Sequence, residues 1–329
     1  MMENTPLVSV VITTYERPEK VKRAIKSVRG QTYERVEIVV VEDGSNSDVK
    51  DWLTDQGFNE VEYVSHDRNC GLAAARNTGI EQTSGDYVAF LDDDDEWKPR
   101  RIEAQVTRLA EERNKNDVGV VYCAVEVRTP EGEVTNCNKP ENRGNLSDAI
   151  REKGASTLSS TFLFRREALE TVGGFDELLP SSIDHDIWME LAVHGYRAIA
   201  LDEPLVVNYD TADADMVTDT TPRIYGVRRY VEKWRPTYRE WFGPDEGDAY
   251  AEQYFADVIG RLAVRKVGSR SPFEAGQAIC AMFDYCSDWQ YIVRLLGWRI
   301  VVAGMVQRLP DPAVSVLRVL YTAVRGRRK

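Results

Sequence analysis

The chain has 329 residues, of which 43% are hydrophobic and 29% charged, which excludes collagen-like, largely disordered and polytopic membrane classes and leaves one catalytic-size domain plus an appendage. A net charge of −12 argues against a nucleic-acid binder, because a surface that tracks phosphates needs a basic stripe to displace counterions. Five cysteines without a C-x-x-C pair and only three histidines argue against a disulfide framework or a zinc site and for a reduced, intracellular protein.

The opening MMENTPLVSVVIT lacks a basic n-region and runs straight into a strand-like segment, so no signal peptide is expected. Four short β-branched runs follow, Leu7 to Thr13, Val36 to Glu42, Val61 to Ser65 and Tyr87 to Leu91. Their near-continuous apolar character predicts strands buried on both faces. Helix-period segments near Pro18 to Val28, Val49 to Gln56 and Leu72 to Thr83 separate them, the pattern of βαβ units in a largely parallel sheet.

A helix over Pro99 to Arg113 and a longer strand over Val118 to Thr129 come next. Beyond them are a strand-like Thr161 to Phe164, a turn at Gly173-Gly174-Phe175-Asp176 and a helix from Asp184 to His194. Residues 208–222 are so rich in Thr and Asp that a loop or mobile lid is expected. From residue 223 the pattern is helical, with breaks at Gly243-Pro244, Ser271-Pro272 and Pro310-Asp311-Pro312. This places a domain boundary at 222, with 1–222 catalytic and 223–329 a helical C-terminal region.

Arg294 and Arg299 interrupt the apolar segment Tyr291 to Gln307, so no spanning helix is expected. Residues 290–329 hold eight basic groups against one acid, Asp311. In the last helix Ser315, Arg318, Thr322, Arg325 and Lys329 fall on one side, and Val316, Leu317, Val319, Leu320, Ala323 and Val324 cover the other. A basic amphipathic helix of this kind suits either an anionic membrane surface or a terminal helix packed on its own domain.

Ligands of open α/β sheets sit beyond the carboxyl ends of the strands. Here those ends read Thr13-Thr14-Tyr15-Glu16-Arg17, Glu42-Asp43-Gly44-Ser45 and Asp92-Asp93-Asp94-Asp95. Four carboxylates at one strand mouth repel one another unless a cation compensates, and hard Mg2+ or Mn2+ held by one or two carboxylates and a diphosphate is the physical expectation. An EF-hand is excluded, because the sixth position is Trp97 or Pro99 where that loop needs Gly.

The motifs VSVVITTYER, VVVEDGS, NCGLAAARNTGI, GDYVAFLDDDDEW and GGFDE…DHDIW, in that order over roughly residues 7–210, resemble family 2 glycosyltransferases. That resemblance implies an α/β fold of GT-A type, a nucleotide-sugar-binding sheet with flanking helices, followed by the α-helical C-terminal region. It implies that Thr13, Asp43 and Arg76 lie on the nucleotide of a sugar donor, UDP-linked by preference, and that Asp92 and Asp94 are the ends of a D-x-D metal motif. In this pattern Asp94 ligates the metal and Asp92 contacts ribose or metal-bound water. Asp184 falls where the family carries its catalytic base, although Ile183 replaces the preceding Glu of that motif.

Other readings of the same residues exist. Asp43 suits an Asx-type turn, Arg76 a structural ion pair, and Asp186 either a first-turn helix acid or an alternative base. A lone base without a second nucleophile suits a single inverting displacement. No Q-x-x-R-W segment of processive members occurs, which points to one sugar per encounter. The expected acceptor is a lipid-linked oligosaccharide, as in protein glycosylation, or another surface-glycan precursor, with the protein peripheral on the inner face of the cell membrane. A sugar-nucleotide pyrophosphorylase would need a Gly-rich loop after strand one, and a non-catalytic scaffold would be expected to have lost one of Asp43, Asp92, Asp94 and Asp184; neither condition is met.

Overall fold

The computed structural model describes residues 5–44, 47–155, 158–209, 220–269 and 271–306. It divides into two compact units, Met1–Asp213 and Ala214–Lys329, a division earlier in the chain than residue 222.

The first unit opens with β1 (Val8–Thr14), α1 (Pro18–Arg29), β2 (Val36–Glu42), α2 (Val49–Asp55), β3 (Val61–Ser65), α3 (Leu72–Glu81) and β4 (Tyr87–Asp92). All seven residues of β1 are buried, as a strand covered on both faces requires. In α1, Pro18 presets the first turn, and Val21, Ala24, Ile25 and Val28 recur at helical spacing to form the buried stripe. The parallel pairing of β1 sets Thr14 opposite Glu42 and Thr13 opposite Asp92. The carboxyl ends of three strands therefore open at one level.

Then come β5 (Asp95–Trp97), α4 (Arg101–Ala110), β6 (Val118–Arg128), β7 (Val134–Asn138), β8 (Gly144–Asn145) and α5 (Leu146–Lys153). A 3-10 turn (Ser159–Thr161), β9 (Leu163–Arg165), α6 (Arg166–Val172), α7 (Ile183–Val193) and β10 (Arg197–Tyr209) complete the unit. The sheet order is β3-β2-β1-β4-β9-β6-β10-β5, with β7 beside β6 and β8 beside β10. Only β3-β2-β1-β4 and β6-β10 pair in parallel, and β9 runs antiparallel between β4 and β6. The sheet is thus mixed, where the sequence pattern suggested a largely parallel one.

Strand β10 carries Asp202-Glu203-Pro204 at its centre, and its register against β6 shifts on both sides of Pro204. A proline and two acids inside a strand hide it from a pattern search. Its last residues, Asn208 and Tyr209, belong to the sheet and residues 220–222 open the next helix, instead of the loop expected over 208–222; residues 210–219 lie outside the described residues.

The second unit is helical: α8 (Thr220–Phe242), α9 (Pro244–Gly268), α10 (Pro272–Tyr285) and α11 (Trp289–Val306). The breaks fall at Gly243-Pro244 and Ser271-Pro272, with proline in the first turn of both following helices. Its core joins Val227, Tyr230, Val231 and Tyr238 with Ala251, Phe255, Ile259, Ala278 and Met282. No described helix is long and apolar enough to cross a membrane. The break at Pro310-Asp311-Pro312 and the basic helix beyond it lie outside the described residues.

Candidate functional site

Across the turn between β4 and β5, four identical residues divide into two kinds. The Asp93 and Asp95 side chains turn inward and are buried, while those of Asp92 and Asp94 are 28% and 21% exposed. Asp93 accepts from Thr14 Oγ1 at 2.8 Å and from Arg17 Nη1 at 3.1 Å. Burial pushes its carboxyl up to about 6, against the opposing pull of the Thr14 hydrogen bond and Arg17. Asp95 accepts from Asn208 Nδ2 at 2.8 Å and is raised well above the ordinary carboxylate range, first by burial and then by the charges of Asp92 and Asp94. Asp94 faces Arg17 at 3.2 Å and Lys20 at 3.9 Å. The D-x-D pair is therefore the outward-facing half of the run, and Arg17 lies on the carboxylates.

Asp43, buried at the end of β2, reaches across to the segment that enters α3. Its Oδ1 accepts from Cys70 N–H and faces His66 Nδ1, and its Oδ2 accepts from Gly71 N–H, each at 2.8 Å. The other ring nitrogen of His66 lies 3.0 Å from Thr78 Oγ1. The carboxylate thus ties two chain segments together. Gly44 permits this approach: its φ is +77° and an added Cβ would lie 2.0 Å from the Arg68 carbonyl carbon. The ligand atoms of Asp43, His66 and Cys70 lie within 4.8 Å of one another, but the hydrogen bonds just described already engage both Asp43 oxygens.

Arg76, on α3, joins residues far apart in the chain. It is 1% exposed; Nη1 donates to Asp184 Oδ1 at 2.6 Å and Nη2 to Asp92 Oδ1 at 2.8 Å and Ser159 Oγ at 2.6 Å. Ser159 Oγ in turn lies 2.9 Å from Asp92 Oδ2. Burial alone would lower the Arg76 pKa, and the charges of Asp184 and Asp92 outweigh it, so the guanidinium is held more firmly protonated than usual. The group that the resemblance places on a nucleotide is here the ion-pair partner of two carboxylates. Of the two candidate bases on α7, Asp186 is 2% exposed and Asp184 has 29% of its side chain open to solvent.

Next to Arg76, Asn77 closes a two-way clamp on Phe175. Its Nδ2 donates to the Phe175 carbonyl and its Oδ1 accepts the Phe175 N–H, both at 2.9 Å. Gly174 adopts φ +73°, and a Cβ there would meet Asn77 Oδ1 at 2.7 Å. Gly174→Ala is expected to cost about 1–3 kcal/mol. Its melting temperature should fall by about 2–4 °C per kcal/mol, and a variant that melts with the native protein would remove the clamp as a structural constraint.

Sequence reasoning assigned no role to Asn77, Ser159, Ser160 or Asn208. Ser160 Oγ accepts the Asp92 N–H at 3.1 Å and its carbonyl accepts from Trp97 Nε1 at 2.8 Å. Small polar residues in a 3-10 turn have no diagnostic spacing. Asn77 stands inside the NCGLAAARNTGI motif, which was the one available signal.

The family described as glycosyl transferase family 2 matches over residues 9–173, half of the chain. The chain belongs to that family. Among curated relatives, the uncharacterized glycosyltransferase RP339 of Rickettsia prowazekii is 32% identical over 197 residues, covering 56% of this chain and 58% of that one. The putative colanic acid biosynthesis glycosyl transferase WcaA of Escherichia coli is 38% identical over 103 residues, 31% of this chain and 37% of its own length. Matches to the Rickettsia relatives span between 27% and 60% of those proteins.

Two solved structures share the fold of this family 2 chain. TarS 1–349 of S. aureus, in complex with UDP-GlcNAc, aligns with a TM-score of 0.58 at 18% identity, over 92% of this chain and 91% of that one. The mannosyltransferase PcManGT of Pyrobaculum calidifontis, in complex with GDP-Man and Mn2+, aligns at 0.56 with 21% identity, over 94% and 88%. The GT-A type of sheet with flanking helices and a following helical region is thereby established.

Proposed function

We propose that this family 2 chain is an inverting, non-processive glycosyltransferase that moves one sugar from a nucleoside-diphosphate sugar to a lipid-linked saccharide or other surface-glycan precursor. The observation that carries the reading is the Arg76 bridge, which holds a partly exposed carboxylate of the D-x-D run and a partly exposed carboxylate of α7 beside the same strand ends. Family membership supplies the reaction class, and solved neighbours in complex with UDP, UDP-GlcNAc and GDP-Man support a nucleotide-sugar donor. A UDP-sugar is the favoured donor.

In this reading Thr13 and Asp43 line the base and ribose end of the donor, and Asp184 is the general base that takes the proton of the acceptor hydroxyl as its oxygen attacks. Asp94, a hard carboxylate partly open to solvent, would hold Mg2+ or Mn2+ directly, and Asp92, whose two oxygens face Arg76 and Ser159, would contact ribose or metal-bound water. Such an ion, when bound, neutralises charge on a departing diphosphate. Arg76 fixes the direction of Asp184 and joins it to Asp92, while Ser159 also holds Asp92. The acceptor and a peripheral position on the cytoplasmic face of the membrane rest on the basic C-terminal residues.

Calorimetric titration with UDP and with GDP, first with Mn2+ or Mg2+ and then with EDTA, tests the donor reading. Binding of UDP that weakens on chelation is the expected result. A folded sample that binds neither nucleotide would overturn it.

A further inference from the structure

Among the described residues every exposed Phe and Trp side chain belongs to α10 or α11: Phe273, Phe283 and Trp289, at 78%, 46% and 59% exposure, joined by Val293 at 50%. On α10 the positions 273, 280 and 283 share one face of the helix, opposite the buried Ala275, Ala278 and Met282 that pack into the unit. Gly276, on the outward side, has open space before it. On α11, Trp289 and Val293 stand four residues apart, about one turn along that helix, beside the buried Ile292 and Leu296. Asp284 is the one acid among the exposed positions of the α10 face, since Glu274 is paired with Lys266 at 2.9 Å.

Two large aromatic side chains projecting from a helix whose other face is already used have no packing reason to be apolar. Charge identifies the occupant. Immediately after Trp289, residues 290–329 carry eight basic groups against one acid in a chain whose total is −12. A protein partner of ordinary acidity could match the charge, but Phe and Trp side chains next to a concentrated basic segment are the composition of an interfacial membrane-docking element. Aromatic rings insert at the headgroup level while the basic groups neutralise anionic lipid.

We propose that the outward face of α10, with Trp289 and Val293 of α11, is the membrane-contacting surface of this chain, and that it docks on a bilayer containing anionic lipid. This deepens the peripheral-membrane part of the proposed function by naming an apolar anchor within the described helices, distinct from the basic tail.

The test uses the full chain and vesicles of phosphatidylcholine with and without phosphatidylglycerol, read by co-sedimentation. The native chain is expected to bind the anionic vesicles. The triple variant Phe273→Ser, Phe283→Ser, Trp289→Ser should bind at least about tenfold more weakly, and Trp289→Phe alone should retain binding. All three positions are exposed, so thermal melting and UDP binding of the triple variant should match the native chain. Deletion of residues 312–329 should weaken binding in a way that added salt mimics.

If the tail deletion abolishes binding and the triple variant leaves it intact, the tail reading stands and the anchor is overturned. Absence of vesicle binding by the native chain overturns both, and leaves the donor reading untouched. A native chain that dimerises through these residues and ignores vesicles assigns the face to a second copy and overturns the membrane.

Discussion

Asp184→Asn should lower sugar transfer by about two to four orders of magnitude, the usual range for a general base, and leave UDP binding near native. The substitution keeps an oxygen for Arg76 and nearly the same volume, so the ion-pair geometry changes little while the proton acceptor is lost. Steady-state turnover measured beside calorimetric UDP affinity checks both halves. Native turnover in this variant would refute the base assignment. A joint loss of transfer and UDP binding would show instead that Asp184 acts through the shape of the site. Asp186→Asn serves as the contrast, because that carboxylate is buried and its effect should appear in stability first.

Arg76→Leu should be strongly destabilising. Arg76 is buried between Asp92 and Asp184, and removing one partner of a buried ionic group leaves the others uncompensated, at about 3–5 kcal/mol. At about 2–4 °C per kcal/mol this lowers the melting temperature by roughly 6–20 °C. Arg76→Lys should recover only part of it, since one ammonium cannot reproduce the planar fork that places two nitrogens on two carboxylates. Transfer should fall in both variants. Differential scanning calorimetry decides the matter, and a Leu variant that melts with the native chain would show that the bridge contributes nothing to the fold.

The first four strands were legible because each is a β-branched run bounded by turn residues, and the breaks in the second unit because proline opens both following helices. Strand β10 was not, since Pro204 and two acids interrupt its pattern, and neither was the mixed character of the sheet, which comes from the antiparallel pairing of β9 and the short β5, β7 and β8, a direction no local pattern encodes. In the site, the acidic strand end was visible as a cluster. Which of four adjacent aspartates face outward was not, because the turn between β4 and β5 and the distant partners Thr14, Arg17 and Asn208 sort them. The bridge from Arg76 to Asp184 spans 108 residues, a distance at which periodicity and local composition carry no information.

That span has a consequence for the order of assembly. The cradle of Asp43 with Gly71 closes a loop of 28 residues, and the Arg76 bridge to Asp184 closes one of 108. Chain-closure entropy makes the longer loop costlier by about 1 kcal/mol, and on the ribosome the second carboxylate is made long after the first contacts have formed. Nascent chains that have emerged as far as β4 hold the Asp43 cradle while Asp184 is still untranslated. On the proposed roles, such a chain could grip a donor well before it could spend one.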